Sequence, residues 1–297
     1  MVLVNDASYD DTPSIIDAFA EKDIRITPVH VENNEAFWGS KKYALTLGIK
    51  KARYDTLLFT DADCYPKSKQ WIRSMSSAFE ENTDVVLGYG AYELKKRSWL
   101  NMLIRYETLL TAVQYFSYAL AGNPYMGVGR NLGYTKSLFF EQRGFMSHMD
   151  VASGDDDLFV NEAATKSNTT ICYIQDAHTV SEPKTSWKSW FIQKRRHIST
   201  ATHYKKKDQF LLGLFYLSQL GALVLLTILL IMAYNWILVL AVWGLRYLIV
   251  GLVLGGSAKK LNEKHIIFFF PFLEVFLIWM QLSIFSANLI SKPNRWK

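Results

Sequence analysis

Three apolar stretches, about Phe210–Ala233, Trp236–Gly255 and His265–Ile290, constrain this chain more than any other feature. A helix crosses a bilayer with roughly 20 apolar residues, and each stretch is that long. A helix on the surface of a water-soluble domain keeps one polar face, whereas these are apolar on every side. The second part of the chain therefore belongs in lipid. Arg246 interrupts the second stretch and Pro271 the third. An arginine at such depth has to face protein or water, while Pro271 either kinks its helix or begins it as an interfacial segment.

Before Asp208 the pattern is different: charged and apolar runs alternate as in a domain that folds in water. The basic residues beside the spans set the expected orientation. Lys205, Lys206 and Lys207 precede the first stretch, and Lys259, Lys260 and Lys264 lie between the second and third. Both flanks should be cytoplasmic, giving a multi-pass protein of the inner (plasma) membrane with its folded domain in the cytosol. The tail residues Lys292, Arg295 and Lys297 conflict with three full crossings, so two to three membrane helices are expected over 209–291. A net charge of +6 suits a surface near anionic lipid. No basic, aromatic-interleaved pattern argues for nucleic acid. Cys64 and Cys172 are too few for a disulfide framework or a zinc site, and the opening residues carry no cleavable signal pattern.

The first part reads as alternating strands and helices. "MVLVNDASYDDT" is the end of a buried strand and a polar turn, followed by a helix over Pro13–Glu21. "IRITPVHVE" predicts a strand, "SKKYALTLGIKKA" a helix and "YDTLLFTDADC" the next strand. This order predicts an α/β sheet, whose ligands collect at the carboxyl ends of the strands. The chain opens directly in a strand that ends at Asp6, so the sheet is expected to be one strand short and the domain incomplete at its N-terminus.

Carboxylates gather at those ends. Asp61 and Asp63, one residue apart after a buried strand, repel unless a cation lies between them. Hard oxygen ligands select Mg²⁺ or Mn²⁺, ions that commonly hold substrate phosphates; a turn cap near Pro66 is the other reading of Asp63. Asp155, Asp156 and Asp157 open a further helix. One carboxylate suffices for an N-cap, and repulsion among three raises at least one pKa, as a general base near neutral pH requires. Beyond them, Trp187, Trp190 and Phe191 followed by dense Lys and Arg predict an interfacial helix within 187–208. Its Arg196 is placed to compensate a departing diphosphate. Residues 98–122 are apolar enough to line an acceptor path or touch the membrane, or to pack in the core.

Taken together, these segments resemble the membrane-anchored members of glycosyltransferase family 2, over Met1 to about Tyr204. "NDASYDD" is similar to the family's D-D-x-S-x-D turn, with Asn5 in place of the first Asp and Asp6 in the position that contacts the nucleotide. "SKKYALTLGIKKARYDTLLFTDADCYP" resembles the stretch leading into D-x-D, which implies that Lys42 borders the nucleotide and that Asp61 and Asp63 hold the metal, Asp63 foremost. "GVGRNLGYTKSLFFEQRGF" is similar to the segment lining the donor and acceptor pocket. "GDDDLF" stands at the family's E-D, which implies Asp156 as catalytic base, or Asp155 if the register slips by one. "QKRRH" resembles Q-x-x-R-W, bringing Gln193, Arg195 and Arg196 toward the nucleotide sugar, with His197 where Trp is expected.

The resemblance implies an α/β fold: a GT-A-like nucleotide-diphospho-sugar transferase domain over 1–186, then an α-helical transmembrane region. The implied reaction is inverting transfer from a nucleotide-sugar donor, UDP-linked in expectation, to a hydroxyl of a lipid or glycan acceptor at the membrane. A metal-dependent nucleotidyltransferase and a truncated, inactive membrane protein are the other readings of the same residues.

Overall fold

The computed structural model describes residues 1–32, 41–151 and 153–291; the basic tail residues noted above, Lys292, Arg295 and Lys297, lie outside them. The chain runs β1 (Val2–Asn5), α1 (Thr12–Lys22), β2 (Thr27–His30), α2 (Lys41–Lys51), β3 (Thr56–Phe59), β4 (Cys64–Pro66), α3 (Trp71–Ser76), β5 (Val85–Gly88) and β6 (Gly90–Tyr92). It continues with α4 (Trp99–Leu120), β7 (Leu132–Thr135), α5 (Lys136–Glu141), α6 (Asp157–Ala163), β8 (Thr169–Cys172), β9 (Thr179–Ser181) and α7 (Trp187–Thr200). Three long helices close it, α8 (Lys206–Ile231), α9 (Trp236–Lys260) and α10 (Phe270–Ile290).

Three sheets share the domain. β1 and β2 form a parallel pair, β3-β7-β5-β8 a mixed four-stranded sheet, and β4-β9-β6 a three-stranded sheet. The sequence pattern predicted one α/β sheet; instead β3 pairs antiparallel with β7, and β1 and β3 belong to different sheets. β5 sits between β7 and β8 with all four residues buried, which is why "VVLG" is an uninterrupted apolar run and not an alternating one. Against this sheet pack Tyr134, Phe139, Phe145 and Phe159, with ring centroids 4.5–6.2 Å apart in tilted, stacked and edge contacts. α4 contributes Leu109, Ala112, Tyr115 and Phe116 to the same core.

The apolar helices are fastened to this domain by polar contacts. Asp208, buried in the first turn of α8, accepts hydrogen bonds from Asn123 Nδ2 and Asn161 Nδ2, both 2.9 Å. After α9, Glu263 receives Arg105 Nη2 at 2.5 Å and the Tyr89 hydroxyl at 3.2 Å, with the Arg105 and Glu263 side chains only 6% and 3% exposed. Arg246, the residue that interrupts the second stretch, is not left in lipid alone: it makes a two-pronged pair with Glu274 of α10, 2.6 and 3.0 Å, and stacks on Trp243 and Tyr247.

All three helices are long and apolar enough to cross a membrane, but α10 is situated differently from α8. A third of its most apolar window is buried in protein, 33% against 0% for α8. Trp99 makes edge contacts with Phe269 and Phe272 at its start, Trp187 meets Phe276 midway, and Arg195 donates to Asn288 Oδ1 and Ala287 O at its end. Pro271 falls in its first turn, where a missing N–H costs nothing, so it starts the helix and does not kink it.

Candidate active site

The acidic residues converge on one cavity of about 1870 Å³. Asp6 reaches it from the turn after β1, and Asp61 and Asp63 from the turn after β3, where Cys64 N–H donates to Asp61 O at 3.0 Å and closes the turn. One ligand atom each from Asp61, Asp63 and Cys64 lies within 4.8 Å of the others. The Lys41 ammonium bridges Asp61 Oδ1 at 2.8 Å and Asp155 Oδ2 at 2.9 Å. Burial opposes its charge, but Asp155, Asp61 and Asp156 outweigh that and hold it protonated. The acid cluster thus already accommodates a cation. Burial and the two carboxylates push the Cys64 thiol up to about 11, so it stays neutral and the charged donors are oxygens. That set fits a hard divalent ion.

The three consecutive aspartates do three different things. Asp155 faces Lys41. Asp157 is buried and accepts the Tyr204 hydroxyl at 2.7 Å, which ties the start of α6 to the chain entering α8. Asp156 is the N-cap of α6: its Oδ1 accepts from Asp157 N–H at 2.8 Å and its Oδ2 from Gly129 N–H at 2.6 Å. Burial first, then the charges of Asp155 and Asp157, push its pKa up to about 7, against the pull of Lys41 and of the Gly129 N–H. Two backbone donors fix the carboxylate without neutralising it, and it lines the cavity. A Cβ on Gly129 would stand 3.2 Å from Oδ2.

Gly129 is held there by its neighbours. Asn131, fully buried, donates to Tyr89 O at 3.0 Å and Ala177 O at 2.7 Å and accepts from Trp71 Nε1 at 3.0 Å. Between them Arg130 lines the cavity, donating to Ala91 O and Ser181 Oγ and lying 4.2 Å from the Tyr92 ring centroid. It was not among the residues singled out from the sequence, although it sits inside the "GVGRN" run. These contacts hold its guanidinium in place at the cavity wall.

α7 contributes Gln193, Arg196 and His197 to the cavity wall. Lys194 also reaches it, paired with Glu107 of α4. Two sequence expectations are corrected. Lys42, expected at the nucleotide, is 1% exposed and donates to the carbonyls of His148 at 2.5 Å and Val151 at 2.9 Å. It fastens the loop ahead of the aspartates, and its neighbour Lys41 occupies the cavity. Arg195, expected at the nucleotide sugar, points the other way onto α10. Adjacent residues on a helix point about 100° apart, and here that rotation turns Lys42 onto the loop carbonyls and Arg195 onto α10 while Lys41 and Arg196 face the cavity. Residues of α4 lie in the core and at the cavity: Tyr115 is in the core and also borders the cavity beside Leu110 and Thr111.

Residues 1–140 match the family profile described as glycosyl transferase family 2. A curated relative, the uncharacterized glycosyltransferase EpsJ of Bacillus subtilis (strain 168), is 33% identical over 93 residues, 31% of this chain and 25% of that protein, so the aligned stretch spans a quarter of the relative's length. Among solved structures, the mannosyltransferase PcManGT from Pyrobaculum calidifontis, in complex with GDP-Man and Mn²⁺, superposes with a TM-score of 0.51 at 18% identity, covering 90% of this chain and 75% of that one. S. aureus TarS 1-349 in complex with UDP has a TM-score of 0.43 at 17% identity, covering 70% and 58%.

Proposed function

We propose that the chain, whose residues 1–140 match the glycosyltransferase family 2 profile, transfers a sugar, with inversion, from a nucleoside diphosphate donor to an acceptor hydroxyl at the cytoplasmic face of the plasma membrane. The domain is GT-A-like and is followed by three helices that could span a membrane. The observation that carries the reading is the meeting of Asp61, Asp63, Asp156 and Arg196 on one cavity.

Asp61 and Asp63 would hold Mg²⁺ or Mn²⁺, which supplies charge neutralisation on the donor diphosphate. Lys41, which bridges Asp61 and Asp155, would share Asp61 with that ion and keep its pairing to Asp155. Asp6 takes the nucleoside end of the donor. Asp156, fixed by the Gly129 and Asp157 N–H groups, accepts the acceptor's hydroxyl proton; a pKa pushed up to about 7 leaves a substantial ionised fraction near neutral pH and makes that form basic enough to take a proton. The acceptor oxygen bonds to the anomeric carbon as the bond to the diphosphate breaks. Attack opposite the leaving group, with no enzyme nucleophile, inverts that carbon. Arg196 and Arg130 receive the charge that develops on the departing diphosphate.

The test is product identification. Purified full-length chain in phosphatidylcholine nanodiscs with Mn²⁺ is supplied in parallel with UDP-sugars and GDP-sugars. Release of the nucleoside diphosphate supports sugar transfer; release of sugar 1-phosphate, with the nucleoside monophosphate passed to another group, points to nucleotidyl transfer and overturns it.

A further inference from the structure

The active-site cavity does not end at the catalytic domain. Its walls include Leu212, Phe215 and Tyr216 of α8 and Leu277, Ile284 and Phe285 of α10. Resting on the transferase reading, we propose that the acceptor is a membrane lipid bearing a hydroxyl and that it enters this cavity sideways from the bilayer, between α8 and α10.

Depth supports the route. Leu212 lies six residues beyond the start of α8 and Tyr216 ten, or about 9 and 15 Å along the axis. The most apolar window of α8 is wholly unburied, and at the domain end of the helix Leu212 packs on the core while Phe215 is exposed. α10, fastened to Trp99, Trp187 and Arg195 along its length, lies on the catalytic domain as the facing wall. Where the two helices meet, the Tyr216 and Phe285 rings make an edge contact at 5.1 Å and the Tyr216 hydroxyl donates to Ile278 O at 3.3 Å. Phe215 and Phe285 remain 37% and 36% exposed beside that contact, as side chains at an entrance do.

The chemistry of the two ends matches an amphiphile. Carboxylates and cations line one end, while aliphatic and aromatic side chains line the other, with the Gln281 amide between. A lipid places its hydroxyl toward Asp156 and its chain against α8 and α10. A soluble glycan would press its hydroxyls against Leu212, Phe215 and Ile284, where they find no hydrogen-bond partner and their burial is unfavourable.

The test uses the full-length chain in phosphatidylcholine nanodiscs containing hexadecanol with a mid-chain diazirine. After irradiation, labelled residues are mapped by mass spectrometry, and Mn²⁺-dependent nucleotide-sugar binding is measured on the same samples. We expect label on Leu212, Phe215, Ile284 or Phe285, falling at least fivefold in Leu212→Trp and Ile284→Trp, with label on outward-facing Leu214 and Leu217 unchanged. Phe285→Ala, which opens the entrance and adds no bulk, should increase cavity labelling. Label confined to Leu214, Leu217 and other outward residues, or cavity label unmoved by all three variants, overturns the entry route while donor binding preserves the transferase reading. Absence of donor binding overturns that reading and the proposal with it.

Discussion

The Oδ2 atom of Asp156 accepts a hydrogen bond from the backbone N–H of Gly129 at 2.6 Å, joining the start of α6 to the loop before β7. Replacing Gly129 by Ala puts a methyl group 3.2 Å from that oxygen, so the carboxylate must give by a few tenths of an ångström. We expect Asp156→Asn to reduce transfer by about 10²–10⁴-fold, the usual contribution of a positioned base, and Gly129→Ala to reduce it by less, with its thermal unfolding midpoint lowered by only a few degrees. Transfer rates and melting curves on the same preparations check this.

The pH dependence follows from the same carboxylate. Asp156 acts ionised, and burial with the charges of Asp155 and Asp157 raises its pKa to about 7. Activity should therefore rise with pH through an acid limb centred near 7 and fall about tenfold per unit below it. Asp155→Asn removes a like charge, so the limb should move to lower pH. A limb that stays in place in this variant would show that another group titrates.

Lys41 and Lys42 should separate cleanly. Lys41 pairs with Asp61 and would compete there with a divalent ion, so Lys41→Met should tighten Mn²⁺ binding several-fold, read by isothermal titration. Lys42→Met leaves the carbonyls of His148 and Val151 without their donor. It should cost on the order of 1–3 kcal/mol of stability for the buried unsatisfied groups, with metal affinity changed less than in Lys41→Met.

The buried Arg105–Glu263 pair makes a different prediction. Glu263→Ala strands the Arg105 guanidinium, at a cost of about 3–5 kcal/mol, whereas the double change Arg105→Met/Glu263→Leu should be near neutral. Thermal unfolding of both variants in the same nanodiscs checks this, and an equal loss in the two would show that the pair contributes more than mutual neutralisation.

Because α10 touches the catalytic domain at both ends, Ser291→Cys should react with an impermeant maleimide from the same side of the membrane as Lys188→Cys on α7. Asn235→Cys, in the turn between α8 and α9, should react from the opposite side. Peptide mapping separates these sites from Cys64 and Cys172, and Ser291→Cys reacting from the side of Asn235→Cys would mean that α10 crosses.

Much of this arrangement is legible in the sequence because burial and charge leave plain marks. "TLLF" before Asp61 announces a strand whose end is polar, and three consecutive Asp residues announce more than a cap. What is hidden depends on rotation and on tertiary pairing. α2 carries Lys41 and Lys42 side by side, and the pattern around them does not say which of the two faces inward. The same holds for Arg195 and Arg196. The pairing of β3 with β7 joins segments more than 70 residues apart, and no local pattern encodes it. Arg130 is invisible for the same reason: its role comes from Tyr92, Ala91 and Ser181, which only the fold brings beside it.

The central claim is a division of labour between the carboxylates that hold the donor and the one that takes the acceptor's proton. It is tested most directly by measuring Mn²⁺-dependent nucleotide-sugar affinity and single-turnover transfer on wild type, Asp63→Asn and Asp156→Asn. The account predicts that Asp156→Asn binds donor as wild type does but transfers at least 10²-fold more slowly, and that Asp63→Asn loses donor binding. Equal loss of donor affinity in both variants, or rapid transfer by Asp156→Asn, would contradict it.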